Sequence, residues 1–456
     1  MAEFPLLPIP TPRHDTRPRG GGGGGNNLDL PSIRRQGRRI GPIFQRLRDA
    51  FAEATSGISL RNDPASIAPE RALVFEIAGS IGDFYAAVQQ IPGLEYLGDE
   101  ELEFEADEDF AVLDTRRDRA GQRRDDKAVG GRLYLAMPET RALRELLRLW
   151  DLYQAGRPAD RGFTPWFNLF ELLRVLRAWG PIDRIPEETI VYWEAALERA
   201  DADTLIRTEV ELWSFVSPQR QRDASEQFET TVGETGGTMV DRASIREIGY
   251  EGALIDLPAA EVRHLIRREE VRLAICDEVM FLRPQSTAEF PTRVEPVEAG
   301  AAPEAALVTG QLPIAALLDG VPVQGHRLLD GRLILDDPDD LDALSVVAER
   351  RHGTEMASLI LHGDRNLIEP SLQRPLYVRP VLYAPGQGRD ECPKKDKLLI
   401  DTIYRAVRRM KEGDDEGQAT ASSVFLINLS LGDKNRPFSG INESVGKTFR
   451  LSGKPV

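Results

Sequence analysis

Apolar residues are spaced along the first part of the chain in alternating helical and strand-like rhythms. From Arg38, "RRIGPIFQRLRDAFAEA" sets Ile40, Ile43, Phe44, Leu47 and Phe51 at helical spacing with arginines between them. That pattern predicts an amphipathic helix docked on its own protein, in preference to one lying on a membrane surface. Further on, "ALVFEIAG" reads as a strand, "SIGDFYAAVQQI" as a helix and "GLEYLG" as a second strand after a Pro-Gly break, which makes a β-α-β unit. "GRLYLAMPETRALRELLRLWDLYQAG" opens a second unit, with a strand over 133–136 and a helix carrying Leu143, Leu146, Leu147 and Trp150 on one face. Helical segments are expected around 167–179 and 189–199, and the charged stretch 114–127 reads as a solvated loop. Together these predict an α+β and helical region over 36–203.

The next block repeats the rhythm. "TLIRTEVELWSF" alternates like a strand, and "SPQRQRDASEQFETTVGETGG" supplies a helix and a glycine stop. "EGALIDLPAAEVRHLIRREEVRLAICDEVMFL" then gives strand, helix, strand. Repeated β-α-β elements with a short helix between two strands point to a ferredoxin-like module over 204–285. The stretch "RPQSTAEFPTRVEPVEAGAAPEAAL" has no periodicity, and residues 286–309 are read as a linker. At the other end, residues 1–35 are rich in Pro, Arg and Gly, with six consecutive glycines, and are expected to be disordered.

A new domain begins at about residue 310. The apolar run 314–318 suits a central strand of a parallel sheet, buried on both faces, and it ends in Asp319-Gly320. Asp-Gly alone reads first as a tight turn. An acid at the carboxyl end of such a strand, however, sits where open α/β sheets meet their ligands, and it needs a partner if buried. "RHGTEMASLILHG" offers one, 33 residues on: His352 stands at the mouth of a helix whose Gly353, Ala357 and Ser358 permit close packing. A histidine whose Nδ1 proton is held by a carboxylate is fixed in one tautomer, and its Nε2 can take a proton from a hydroxyl nucleophile.

"IAALLDG", "HGTEMASLI" and "VFLINLSLG" resemble, in order, three signatures of the subtilisin-like serine peptidases: the Asp strand, the His helix and the substrate-binding Ser-Leu-Gly strand. The stretch "YEGALIDLPAAEVRHLIRREEVRLAICDEV" is similar to the end of the propeptides of that family. The resemblance implies an incomplete subtilisin-like α/β domain over 310–456, preceded by α+β ferredoxin-like, propeptide-like modules. It also implies peptide-bond hydrolysis through an Asp-His-Ser triad. Asp319 would orient and support His352, which would act as general base and then general acid. Ser430, Leu431 and Gly432 would line the substrate cleft and offer backbone groups to an extended peptide. Gly320 stands where the family usually has Ser or Thr. The family's Gly-Thr-Ser-x-Ala-x-Pro, which carries the nucleophile, does not occur, and Ser439, Ser444 and Ser452 lack the turn that presents one. The chain as it stands is therefore expected to look truncated and to be inactive.

Composition narrows the alternatives. A formal charge of -16 disfavours broad nucleic-acid binding and favours a soluble enzyme or partner-binding protein, and the resemblance implies a polypeptide substrate or partner chain. Two cysteines support neither a disulfide framework nor a zinc site, and no cofactor or metal is called for. The absence of a secretory h-region or an apolar membrane-spanning stretch leads to an expected cytoplasmic location. "GETGGT" lacks the lysine of a phosphate loop and reads as a flexible loop. His352 and His362 do not share a helix face, and His326 reads as structural. Two rivals stay open: a non-catalytic module that binds peptide or protein, and a regulator of a separate protease acting through 204–285.

Overall fold

The computed structural model of the protein describes residues 27–52, 67–82, 84–116, 119–198, 200–201, 204–269, 271–286, 310–363, 370–386, 391–415 and 417–432. The chain divides into two units, Met1–Gly180 and Pro181–Val456. Both are mixed α/β, and the second contains a parallel sheet.

In the first unit the arginine-rich amphipathic stretch forms α1 (Ile33–Ala52), which starts earlier than its apolar spacing suggests. A two-residue strand, β1 (Leu28–Asp29), precedes it. The expected disordered tail is thus corrected from residue 27 onward, while residues 1–26 lie outside the described residues. β2 (Leu73–Ala78), α2 (Phe84–Gln89) and β3 (Leu94–Phe104) follow, then β4 (Ala111–Leu113), β5 (Arg123–Arg124), β6 (Val129–Pro138), α3 (Thr140–Gln154), α4 (Thr164–Leu172) and β7 (Leu173–Ala178). The four long strands form one antiparallel sheet in the order β3-β6-β2-β7. The predicted β-α-β unit is therefore split, with β6 lying between β2 and β3. Helices α1, α3 and α4 close over the sheet through stacked rings: Phe44 lies 4.7 Å from Trp150, and Phe170 meets both edge-on.

Two expectations change here. The stretch 114–127 is not only solvated loop, because β5 pairs with β4 and the Asp114 side chain is buried beside Arg116. The helix expected around 167–179 stops at Leu172 and continues as β7, which pairs with β2. A buried side chain explains the switch. Gln36 of α1 donates from Nε2 to the carbonyls of Phe170 (2.7 Å) and Leu173 (2.9 Å), so acceptors at the helix-to-strand junction are satisfied without continuing the helix. Gln36→Ala is expected to cost about 1–2 kcal/mol in denaturant unfolding, through the loss of two buried hydrogen bonds. An unchanged midpoint would show that the junction does not need them.

In the second unit, α5 (Glu187–Leu197) packs Trp193 into the core of the module that follows, although the sequence pattern groups residues 181–203 with the preceding region. The module runs β8 (Leu205–Leu212), α6 (Pro218–Glu234), β9 (Thr238–Ile245), β10 (Tyr250–Pro258), α7 (Ala259–Ile266) and β11 (Val279–Pro284). Its sheet is antiparallel in the order β11-β8-β10-β9. β9, "TMVDRASI", is a strand that the sequence pattern does not announce. The "GETGGT" segment is an ordered helix stop and not a loose loop: Gly236 takes a left-handed φ of 73°, and the amide of Gly237 returns to the carbonyl of Val232 at 3.0 Å.

Then come β12 (Ala315–Asp319), β13 (Leu333–Leu335), α8 (His352–His362), β14 (Leu376–Pro380), α9 (Leu399–Lys411), the hairpin strands β15 (Gly413–Asp414) and β16 (Gly417–Gln418), and β17 (Leu426–Asn428). β13, β14, β12 and β17 form a parallel sheet in that order. The two faces of β12 are both buried, which is why its sequence is continuously apolar. Ala316 and Leu318 pack with Ala406 and Met410 of α9, while Leu317 packs with Ala357 and Leu361 of α8. The module and this sheet also share a core: Ala243, Ile245, Tyr250 and Leu254 enclose Leu398 and Ile400 at the start of α9. Asp241 accepts from the Leu398 amide (3.0 Å) and from Lys397 Nζ (2.8 Å), which stabilises the opening turn of that helix.

Candidate active site

Asp319 ends β12, and His352 begins α8. The two elements touch because neither chain has a side chain at the crossing. A Cβ placed on Gly353 would lie 2.2 Å from the carbonyl oxygen of Gly320. This contact sets the first turn of α8 directly against the end of the strand. Thr354 adds a second tie, accepting at Oγ1 from the amide of Val323 at 2.9 Å. The carbonyl of Asp319 accepts from Val381 (2.9 Å), which anchors the strand end to the segment leaving β14.

Held in this way, His352 Nδ1 donates to Asp319 Oδ1 at 2.7 Å. Asp319 is fully buried, whereas the His352 side chain keeps 17 % of its exposure. Oδ1 also accepts from the Gly320 amide at 2.6 Å. Because the carboxylate can only accept, the imidazole carries its proton on Nδ1, and the chemistry left to Nε2 is proton acceptance. Burial pulls the His352 pKa down, but the hydrogen bond and charge of Asp319, with Glu391 and Glu355 adding to them, outweigh it and raise the pKa above the ordinary imidazole value.

A third group, which sequence reasoning did not pick out, completes the cluster. Glu391 is buried against the two glycines and accepts at Oε2 from the Gly353 amide at 3.2 Å. Burial first, and the charge of Asp319 second, push its pKa up to about 7. Its backbone is positioned by the neighbouring residue: Cys392 and Tyr383 exchange two backbone hydrogen bonds of 3.0 Å. The segment "GRDECPKKD" has no periodicity, so only the third dimension brings Glu391 to the site. One donor atom from each of Asp319, His352 and Glu391 lies within 4.8 Å of the others. With Nδ1 already bonded to Asp319, the arrangement suits holding and moving protons.

The remaining candidates are placed as follows. Ser430, Leu431 and Gly432 follow β17 after one intervening residue, Leu429, and because Asn428 of that strand is level with Leu317 they leave the sheet at the carboxyl edge that also carries Asp319. Ser430 Oγ donates to Asn428 Oδ1 at 2.8 Å, and Leu431 packs on the core beneath. β17 forms one margin of the sheet among the described residues, and Phe425, Leu426 and Ile427 are exposed there. His362 lies at the far end of α8, hydrogen-bonded to Ser371 Oγ (2.7 Å) and to the Leu328 carbonyl (2.8 Å), and so serves the packing of that end. His326 sits in an exposed turn, where its Nδ1 accepts from the amide of Leu328. Ser439, Ser444 and Ser452 fall outside the described residues, as does most of the expected linker. Among the described residues no helix is long and apolar enough to cross a membrane. No protein-family model matches the chain, and no curated protein is significantly similar to it.

Proposed function

We propose that residues 310–456 are the Asp–His part of a subtilisin-like serine peptidase domain, with residues 204–285 forming a ferredoxin-like, propeptide-like module set against it. The observation that carries the reading is the 2.7 Å bond from His352 Nδ1 to a fully buried carboxylate at the carboxyl end of a parallel strand. In this reading Asp319 fixes the tautomer and supports the imidazolium. His352 takes the proton of an attacking hydroxyl at Nε2 and then returns it to the leaving amine. An extended peptide adds to the outer edge of β17 and is met by the backbone of Ser430, Leu431 and Gly432.

The module supports the same reading. Its order β-α-β-β-α-β, with strands arranged β11-β8-β10-β9, agrees with the ferredoxin-like reading. One face of its sheet packs on the start of α9, as a folding template would. The strand order β3-β6-β2-β7 of the first unit repeats the pattern.

Hydrolysis needs a nucleophile, and the sequence holds no Gly-Thr-Ser-x-Ala-x-Pro. Without a triad member, a site of this kind keeps only about 10³–10⁴-fold catalysis over water, and only if its oxyanion donors are present. A fluorophosphonate probe is therefore expected to leave this chain unlabelled, while the DNA beyond codon 456 is expected to encode Gly-Thr-Ser-x-Ala in one frame. A labelled serine within residues 1–456 would overturn the placement of the nucleophile. A second reading, a peptide-binding module without catalysis, draws on the exposed apolar margin at Phe425, Leu426 and Ile427. It gains if no frame of that DNA encodes the serine motif.

A further inference from the structure

Two carboxyl groups share the buried end of β12, and among the described residues each has an oxygen with no hydrogen-bond partner: Oδ2 of Asp319 and Oε1 of Glu391. Both residues are more than nine-tenths buried. Two buried anions this close repel each other, and each would also leave a desolvated lone pair unmet. The other oxygens are already engaged. Asp319 Oδ1 accepts from His352 and from the Gly320 amide, and Glu391 Oε2 accepts from the Gly353 amide. The space for Glu391 exists because residue 320 has no side chain, since a Cβ there would come within 2.6–2.8 Å of the Glu391 carboxyl atoms.

We propose that Glu391 is a positioning residue that keeps its proton and donates it, as a neutral carboxylic acid, to Oδ2 of Asp319, leaving Asp319 as the anion that faces His352. One proton on Oε1 removes the repulsion, satisfies both orphaned oxygens and leaves Oε2 accepting at the start of α8. Among the described residues, the charged groups acting on Glu391 are Asp319 from β12 and His352 from α8, and Glu355 acts in turn on His352. The raised affinity of Glu391 for its proton agrees with this arrangement. The proposal rests on the peptidase reading only for the catalytic meaning of Asp319 and His352. The proton itself is a property of the folded chain, and it can be tested without a nucleophile.

The test is a carboxyl-¹³C titration of the full chain by NMR, with the Glu391 signal assigned by its loss in Glu391→Gln. The expected midpoint is near 7, and a midpoint in the ordinary glutamate range near 4.5 would overturn the proposal. Glu391→Gln retains a donor and is expected to keep the low-field Nδ1 proton signal of His352. Glu391→Met fills similar space without a donor and is expected to lose that signal. Retention in both variants would reduce Glu391 to a packing group. Should the methionine variant fail to fold, the wild-type midpoint and the glutamine variant still decide the matter. A saturable displacement of the Glu391 signal by added Ca²⁺ or Mg²⁺ would show that the pair holds a cation in place of a proton, which also overturns it. A labelled serine, or the absence of the serine motif from that DNA, would leave this titration unchanged, so the two ideas can fail separately.

Discussion

A Gly353→Ala variant is expected to pull His352 away from Asp319 and to lower the stability of the Pro181–Val456 unit by about 1–3 kcal/mol. The added methyl carbon meets backbone, at 2.2 Å from an oxygen and 2.6 Å from a carbon of Gly320, and backbone cannot rotate out of the way. Either α8 or the end of β12 must move. The measurement is paired: denaturant unfolding for the stability, and imidazole NMR between pH 5 and 9 for the site. In the wild type the His352 pKa is raised above 6.5, so the folded state binds the proton more tightly than the unfolded chain does. That contribution to stability is fully present below the ordinary imidazole pKa and is lost as pH rises through the folded-state midpoint. In the variant burial persists while the Asp319 bond is lost, so the midpoint should fall and this loss of stability on alkalinisation should shrink. An unchanged midpoint together with an unchanged unfolding curve would show that the glycine contact does not hold the pair.

The second large effect is expected at Leu398, which is fully buried among Ala243, Ile245, Tyr250 and Leu254. Leu398→Ala removes apolar contact where the module's sheet meets the start of α9, and a cost of about 2–5 kcal/mol is expected. Leu359, 53 % exposed on α8, serves as the control, and its replacement by alanine should change stability by no more than about 0.5 kcal/mol. If the two variants unfold alike, the shared core is not what joins the module to the sheet.

The site was partly legible in the sequence because two of its residues belong to regular elements. A parallel strand covered on both faces leaves a continuous apolar run, and the acid that ends it stands out. The histidine opening a helix of small residues stands out in the same way. Glu391 left no such mark, because its place depends on a backbone bridge between Tyr383 and Cys392 and on the missing side chain of Gly320, neither of which has a period. Strand β7 was hidden for a different reason. In "LLRVLRAW" the leucines fit helical and strand spacing alike, and the choice is made by Gln36, more than 130 positions earlier in the chain, together with pairing to β2. β9 was hidden because its outward positions and one of its ends are polar, so alternation is weak. Element type could thus be read wherever burial is one-sided and regular, and could not where a distant polar group decides it.

The contacts that secure the first turn of α9 come from far back along the chain: Asp241 is 157 residues from Leu398, and Arg207, which donates to the Lys395 carbonyl, is 188 residues from it. Closing loops of that length is entropically costly before any contact rewards it. During synthesis the module emerges first and can complete its own strands, while the groove that receives Leu398 stays uncovered until more than a hundred further residues have left the ribosome. The order of events in making this protein is therefore written into its connectivity, with the receiving surface built ahead of the helix that closes it.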